Sequence, residues 1–463
     1  MSSPPLRFHA GAFGVLAPFV VFLAGVIGLA LSGAPDERGF WPVLLAAWAV
    51  GLALATDRTR YAEALVAGMA QPLVLLMIVA WLLAGVLSTL LGAAGFVQAL
   101  AWAAGALSLT GGAYVSAAFV ASALVATATG TSFGTILVCG PLLYPAGAGA
   151  GADATWLAGA LLAGATFGDS ISPLSDTTIA SAGTQHTDIG GTVQTRLRYV
   201  LPAGLVSLLL YLVLGRGTAT GAASALSASS AGWPLVIAPV VIIALLVRRR
   251  HLIEALMAGI VLTGAVSLAL GLLTPDQLLR LDREQFVARS LVIDGLTKGL
   301  GVSVFTLLLV GLVRGLEDSG LLEETMGRLR DTPHTAGRAE GRIVALAMGA
   351  VLLTTHSVVA LLTVGDYARR LGEASGVSGY RRANLLDLSV CTWPFLLPYF
   401  LPPILMAGTT ASGEAVGWVR LSPWAVGAAN LYSWALLVVL LIVVATGAGR
   451  HERVRQPGHG TTR

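Results

Sequence analysis

Residues 164–178 read GATFGDSISPLSDTT. Two carboxylates, Asp169 and Asp176, stand seven residues apart, with Ser170, Ser172, Pro173 and Ser175 between them. Both flanks are apolar enough to cross a bilayer. A charge at membrane depth costs about 2.5–3.5 kcal/mol on insertion scales, so such residues face a protein interior or an aqueous path. Pro173 has no N–H to give to a helical ladder and breaks it. A broken helix at that depth is tolerated only where it is buried or lines a cavity. The stretch therefore predicts an ion or substrate site inside a membrane transporter.

The rest of the chain agrees. Of 463 residues, 56% are hydrophobic and 11% charged, with a mean hydropathy of +0.80. Soluble domains carry about 25% charged residues. The composition predicts an all-α polytopic membrane protein. The net charge of +4 is no nucleic-acid signal, because the basic residues fall in loops that a membrane protein keeps in the cytoplasm. Cys139 and Cys391 lie in apolar segments without C-x-x-C spacing, which argues against a disulfide framework or a zinc site. The N-terminal apolar run has no A-x-A-like site soon after it and reads as a first transmembrane helix rather than a cleaved signal. No cofactor and no enzymatic reaction are expected.

Apolar spans fall at about 11–32, 40–56, 63–92, 155–182 and 197–215, then at about 233–247, 251–273, 290–314, 383–410 and 424–447. Two further segments do not fit as crossings. One, 113–145, is interrupted by Thr129-Gly130-Thr131-Ser132-Phe133-Gly134, and the other, about 343–367, by Thr354-Thr355-His356-Ser357. Each is expected to be a re-entrant hairpin. With ten crossings, two hairpins and a cytoplasmic N-terminus, 21 of the 27 arginines fall inside, including Arg196, Arg381 and Arg382; this is the positive-inside bias.

The halves echo each other. Gly85 with Gly95-Phe96 corresponds to Gly311 with Gly320-Leu321, Ser132 to Ser357, and the segment broken at Pro173 to one broken at Pro394. Five crossings per half is odd, so the two repeats insert in opposite orientations, an architecture that places its site at the midplane. The expected organisation is an N-terminal repeat over 1–216, a flexible joint at 217–232, a C-terminal repeat over 233–447 and a cytoplasmic tail at 448–463.

Asp169 and Asp176 are the leading candidates. A buried carboxylate can trade a proton for a cation near neutral pH, and hydroxyl and freed carbonyl oxygens beside it suit a hard cation. Their bland alternative is helix capping. Thr129, Gly130, Thr131 and Ser132 form the first hairpin tip, where helix ends offer partial charges; small-residue packing is the alternative. His356 and Ser357 stand at the second tip, and His356 could carry a proton or simply pack. Asn384 and Asp387 precede the second break; Asp387 sits either deep or, with Arg381 and Arg382 close by, near the cytoplasmic interface. Lys298, the only lysine, snorkels outward or pairs with Asp294. Glu317, Asp318, Glu323 and Glu324 read as a solvated loop.

GATFGDSISPLSDTT resembles the signature of the NhaC family of sodium/proton antiporters, within the wider ion-transporter superfamily. Asp169, Ser172, Pro173, Ser175, Asp176, Thr177 and Thr178 match it. The stretch 126–135, ATATGTSFGT, is similar to the family's hairpin tip, and RRANLLDLSVCTWPFLLPYF occupies the place of its second broken segment. The resemblance spans about 60–447. Ser170 stands where the family has lysine, His356 where it has a small residue, and Pro398-Tyr399-Phe400 where it has Pro-Trp-Asn; the second-half acidic pair is missing.

The resemblance implies exchange of Na+ or Li+ for H+ across a prokaryotic inner membrane, with Asp169 and Asp176 as transient cation ligands. Both termini would be cytoplasmic, and a homodimer is implied by the superfamily alone. The alternative is a Na+- or H+-coupled carrier of a small organic acid or amino acid, because the family's members differ in cargo. Gly168-Asp169 also suggests an intramembrane aspartyl protease, but Thr166 stands where that motif needs glycine, and no Pro-Ala-Leu segment occurs.

Overall fold

A computed structural model describes residues 5–450 apart from 32–36, 174, 218–228, 249, 283–286, 322–323, 325–334, 355–356 and 419. The chain is helical almost throughout. In order come α1 (Ala12–Leu31), α2 (Phe40–Leu54), α3 (Arg58–Met69), α4 (Pro72–Ala93), α5 (Phe96–Ala106), α6 (Gly112–Thr129), α7 (Ser132–Gly149), α8 (Ala154–Ile171), α9 (Asp176–Thr184) and α10 (Ile189–Leu214). The second half adds α11 (Ile237–Val247), α12 (Leu252–Ala269), the short α13 (Pro275–Leu278), α14 (Leu291–Glu317), α15 (Ala336–Thr354), α16 (Ser357–Ala374), α17 (Gly379–Val390), α18 (Leu401–Thr409), α19 (Pro423–Ala428) and α20 (Leu431–Thr446). Strands β1 (Arg280–Asp282) and β2 (Val287–Arg289) form one antiparallel pair, Arg280 opposite Arg289.

Six helices among the described residues are long and apolar enough to cross a membrane, or seven when the pair bent by 45° at 379–414 counts as one span. This bears out an all-α, multi-pass membrane protein. The expected ten spans differ in detail for local reasons. Pro72 starts a new helix and splits 63–92 at Ala70–Gln71, while 233–247 opens as a 3-10 turn (Ser230–Val236) around Pro234. The expected joint at 217–232 and tail at 448–463 lie largely outside the described residues.

The hairpins decide the architecture. Gly111 N–H donates to the Ala150 carbonyl (2.7 Å) and Tyr114 Oη to the Leu143 carbonyl (2.8 Å), so α6 and α7 open toward one face. That face holds the end of α10, since Asp153 N–H donates to the Gly215 carbonyl at 3.1 Å. The second hairpin, α15–α16, opens at the other end of α10. Glu340 near the start of α15 pairs with Arg381 near the start of α17, and Tyr380 donates to Asp188, the N-cap of α10. That hydrogen bond and the Gly191 N–H hold the Asp188 carboxyl below the usual carboxylate range. Because α10 runs from one face to the other, the hairpins enter from opposite sides. The two hairpins therefore have opposite orientations, as inverted repeats would require.

Tight packing supports this. Gly95 (φ +84°) and Gly320 (φ +68°) make equivalent left-handed turns after α4 and α14, a conformation that glycine adopts without steric cost. A Cβ on Gly85 of α4 would collide with the Gly295 carbonyl of α14, and one on Gly164 or Gly168 of α8 with the Phe119 or Ala123 carbonyl of α6. Small residues let these backbones approach where lipid supplies no hydrophobic drive.

Candidate ion site

Both predicted breaks are present. Helix α8 ends at Ile171, capped by Ser172 in extended conformation (ψ 127°), and α9 begins at Asp176. Helix α17 ends at Val390, a 3-10 turn follows at Trp393–Leu396, and α18 starts at Leu401. The first hairpin tip turns at Gly130 (φ 72°) and restarts at Thr131, whose hydroxyl caps Gly134 N–H. The tip is stitched to the first break: Ser172 Oγ donates to the Thr127 carbonyl (2.8 Å), and Ser132 N–H donates to Asp169 Oδ2 (3.3 Å). The second tip reaches the second break through Ser357 Oγ, which donates to the Val390 carbonyl at 3.1 Å.

Where these four parts meet lies a cavity of ≈ 140 Å³. Thr131 and Ser132, Asp169, Asp176 and Thr177, and Ser357 supply its polar lining, while Trp81, Leu137, Cys391, Phe395 and Phe400 supply apolar wall. Asp169 is buried, and its Oδ1 has no hydrogen-bond partner among the described residues. Asp176 is exposed at the start of α9, where the helix dipole favours an anion. A buried carboxylate that lines a polar cavity and keeps one oxygen without a hydrogen-bond partner among the described residues has the chemistry to hold a cation or a proton. A second cavity of ≈ 50 Å³ holds Lys298 with Ser88, Thr409 and Ser412, and shares Trp81 and Leu137 with the first.

The remaining predicted residues lie elsewhere. Thr129 Oγ1 returns to the Val125 carbonyl (2.9 Å), Ser175 Oγ meets Thr177 Oγ1 (3.0 Å), and Pro173 is exposed. Thr178, Asn384 and Asp387 gather around Arg196, and the Cys391 thiol, which reaches Asp387 Oδ1 and Thr177 Oγ1, stands between this cluster and the cavity. His356 and Thr355 lie outside the described residues.

Arg196 is the residue that the sequence reading missed. It is neither in a loop nor solvated: it sits seven residues into α10, fully buried, and ion-pairs with Asp387. Arg381, assigned to the same cytoplasmic set, is also fully buried, and Arg382 is nearly so, donating to Gln185 Oε1 (2.9 Å) and the Val377 carbonyl. These guanidiniums are buried because carboxylates, amides and helix-end carbonyls receive them. Glu317 also departs from the solvated loop: it is the last residue of α14 and pairs with Arg314. A signal for Arg196 was available, since helical phase places it away from the apolar exposed side of α10 (Leu201, Leu205, Leu209).

Comparison with known proteins sharpens the picture. Residues 10–216 match the Na+/H+ antiporter family. The match covers both the first hairpin and the first broken helix, and agrees with the NhaC signature in 164–178. Among curated relatives, the Na(+)/H(+) antiporter NhaC of Bacillus subtilis is 25% identical over 281 residues, 55% of this chain and 60% of that protein. NhaC of Alkalihalophilus pseudofirmus is 32% identical over 154 residues, 32% of this chain and 33% of that protein. The malate-2H(+)/Na(+)-lactate antiporter of B. subtilis is 34% identical over 102 residues, 22% of each chain. The aligned region thus spans 60% or less of each of these relatives.

Proposed function

We propose that this chain is a secondary active antiporter that exchanges Na+ (or Li+) for H+ across a prokaryotic plasma membrane, with both termini cytoplasmic and ten crossings. The observation that carries the reading is Asp169: a buried carboxylate that lines the cavity between the two hairpin tips, held through Oδ2 by the first tip while Oδ1 has no hydrogen-bond partner among the described residues. The two relatives that align over the longest stretches are named Na+/H+ antiporters, which supports the inorganic cation over an organic cargo.

Asp169 and Asp176 would share the cation, with the Thr177 and Thr131 hydroxyls as neutral oxygen ligands. The same carboxylate oxygen cannot hold a proton and a sodium ion together, so loading one releases the other. That competition couples the two fluxes. Movement of the hairpin and broken-helix unit against the α4–α14 scaffold would then turn the cavity from one face to the other, as inverted repeats do.

The direct test is pH-dye fluorescence in proteoliposomes holding an acid-inside gradient. Sodium or lithium is expected to drive proton efflux and potassium is not. No response to any cation from folded protein would reject the assignment. Cavity access gives a second expectation. Cys391 lines the cavity and Cys139 does not, so Hg2+ should inhibit the wild type and Cys139→Ser but spare Cys391→Ser. Inhibition that persists in Cys391→Ser would remove this cavity from the transport path.

A further inference from the structure

Asp169 and Asp387 occupy corresponding places. Each lies in the last turn before a break, and each gives its backbone carbonyl to the N–H of the capping residue: Ser172 to Asp169 at 3.1 Å, Cys391 to Asp387 at 2.9 Å. Their surroundings are opposite. Asp169 accepts the Ser132 N–H at Oδ2, and its buried Oδ1 has no hydrogen-bond partner among the described residues. Asp387 is saturated: Arg196 pairs with it, the Thr178 and Ser181 hydroxyls lie 3.4 Å from Oδ2, and the Cys391 thiol donates to Oδ1 at 3.3 Å.

The guanidinium of Arg196 also donates to the Ser170 carbonyl (3.0 Å), Thr178 Oγ1 (2.8 Å) and Asn384 Oδ1 (3.1 Å). A carboxylate, a carbonyl from the last turn of a helix, a hydroxyl and an amide oxygen are the hard oxygen ligands that small cations take. One side chain thereby ties together α8, α9 and α17. A guanidinium is not deprotonated in proteins.

We propose that Arg196 is a tethered cation that permanently fills the cation position of the second repeat, which confines exchange to the Asp169–Asp176 side. The inference rests on the exchange activity proposed above. Asp387 then has no opening for sodium and no proton to give up. Arg196 is a positioning residue: it fixes both broken helices and balances Asp387, and it touches no transported ion. An inverted repeat would otherwise offer two exchanging centres; this chain keeps one.

The test compares full-length wild type, Asp387→Asn, Arg196→Gln and the double variant in proteoliposomes, with thermal unfolding of each in detergent. Asp387→Asn leaves an unbalanced guanidinium beside the site and is expected to raise KM for sodium by roughly tenfold or more. Arg196→Gln frees Asp387 to take protons and is expected to shift the pH profile of exchange. The double variant, neutral at both positions, is expected to recover the wild-type pH profile and a KM within about threefold, as a coupled pair does in a mutant cycle. A purely structural role for Arg196 would not produce that recovery of the pH profile. A double variant that unfolds like the wild type yet does not exchange would overturn the inference, because Asp387 would then be an exchanging carboxylate. Should the double variant not fold, Asp169→Asn decides. A second exchanging centre in parallel would leave the proton-to-cation ratio of the wild type unchanged, but it would survive this substitution. Complete loss of cation-driven proton movement in folded Asp169→Asn supports the inference, and residual exchange overturns it. A wild type that moves no cation rejects the exchange activity itself, and this inference with it.

Discussion

Asparagine in place of Asp169 is expected to abolish sodium-driven proton movement while leaving the fold intact. Asparagine has the same shape, and its carbonyl oxygen can still accept the Ser132 N–H that now reaches Asp169 Oδ2 at 3.3 Å. The change lands on the other oxygen, which has no partner among the described residues and would become an uncharged amide NH2. Opposite unit charges 4 Å apart at an effective dielectric near 20 attract by about 4 kcal/mol, so exchange should fall below about 1% of the wild type. Proton efflux in proteoliposomes measures the loss, and an unchanged thermal unfolding curve shows that the fold is kept. Exchange above about a tenth of the wild-type rate would be too small a loss for a cation ligand and would remove Asp169 from the site. Asp176 provides the internal contrast. It lies at the open side of the cavity, at the first residue of α9, so its neutralisation should weaken sodium binding before it stops turnover.

The difference between these carboxylates was only partly legible in the sequence. Pro173 and the apolar flanks were enough to predict a break at membrane depth, because a missing N–H and a charge penalty act locally. The hairpin at 112–149 was legible for the same kind of reason: Gly130 supplies the turn, and Thr131 caps the helix that follows. What could not be read was the partner of each acid. Asp387 looked ambiguous because Arg381 and Arg382 stand close to it in the chain, but neither of them pairs with it. Its counter-ion is Arg196, 191 positions away, brought there by the packing of α10 against α17. Counting arginines by side of the membrane treats every guanidinium as a loop charge. It misplaced Arg196 and Arg381 because long-range carboxylates make their burial tolerable. Local chemistry was visible in one dimension; charge balance between distant parts of the chain was not.

The largest loss of stability is expected from Glu340→Ala. Glu340 and Arg381 are both fully buried and paired at 3.0 Å. Arg450 adds a bidentate contact to the same carboxylate, with Nε 3.0 Å and Nη2 3.1 Å from its oxygens. Arg381 is further held by Tyr199 Oη (2.8 Å) and by the carbonyls of Val443 and Ala448. One acid thus ties the second hairpin to α17 and to the end of α20. Removing it leaves a buried guanidinium without a counter-charge, which costs about 3–5 kcal/mol. Arg381 cannot escape by turning to solvent, because Tyr199 and the α20 carbonyls enclose it. Thermal unfolding in detergent should show a large downward shift, with loss of the monodisperse species. Two comparisons make the cause specific. Asp366→Asn removes an exposed acid that pairs with the half-buried Arg369 and the exposed Arg370, a surface pair worth at most about 1 kcal/mol, and should leave the unfolding curve nearly unchanged. Replacing Glu340 and Arg381 together by methionine removes both charges at similar volume and should recover most of the loss, as apolar replacement of a buried pair commonly does. If Glu340→Ala unfolded no earlier than Asp366→Asn, the end of α20 would be held to the second hairpin by apolar packing rather than by this charge network.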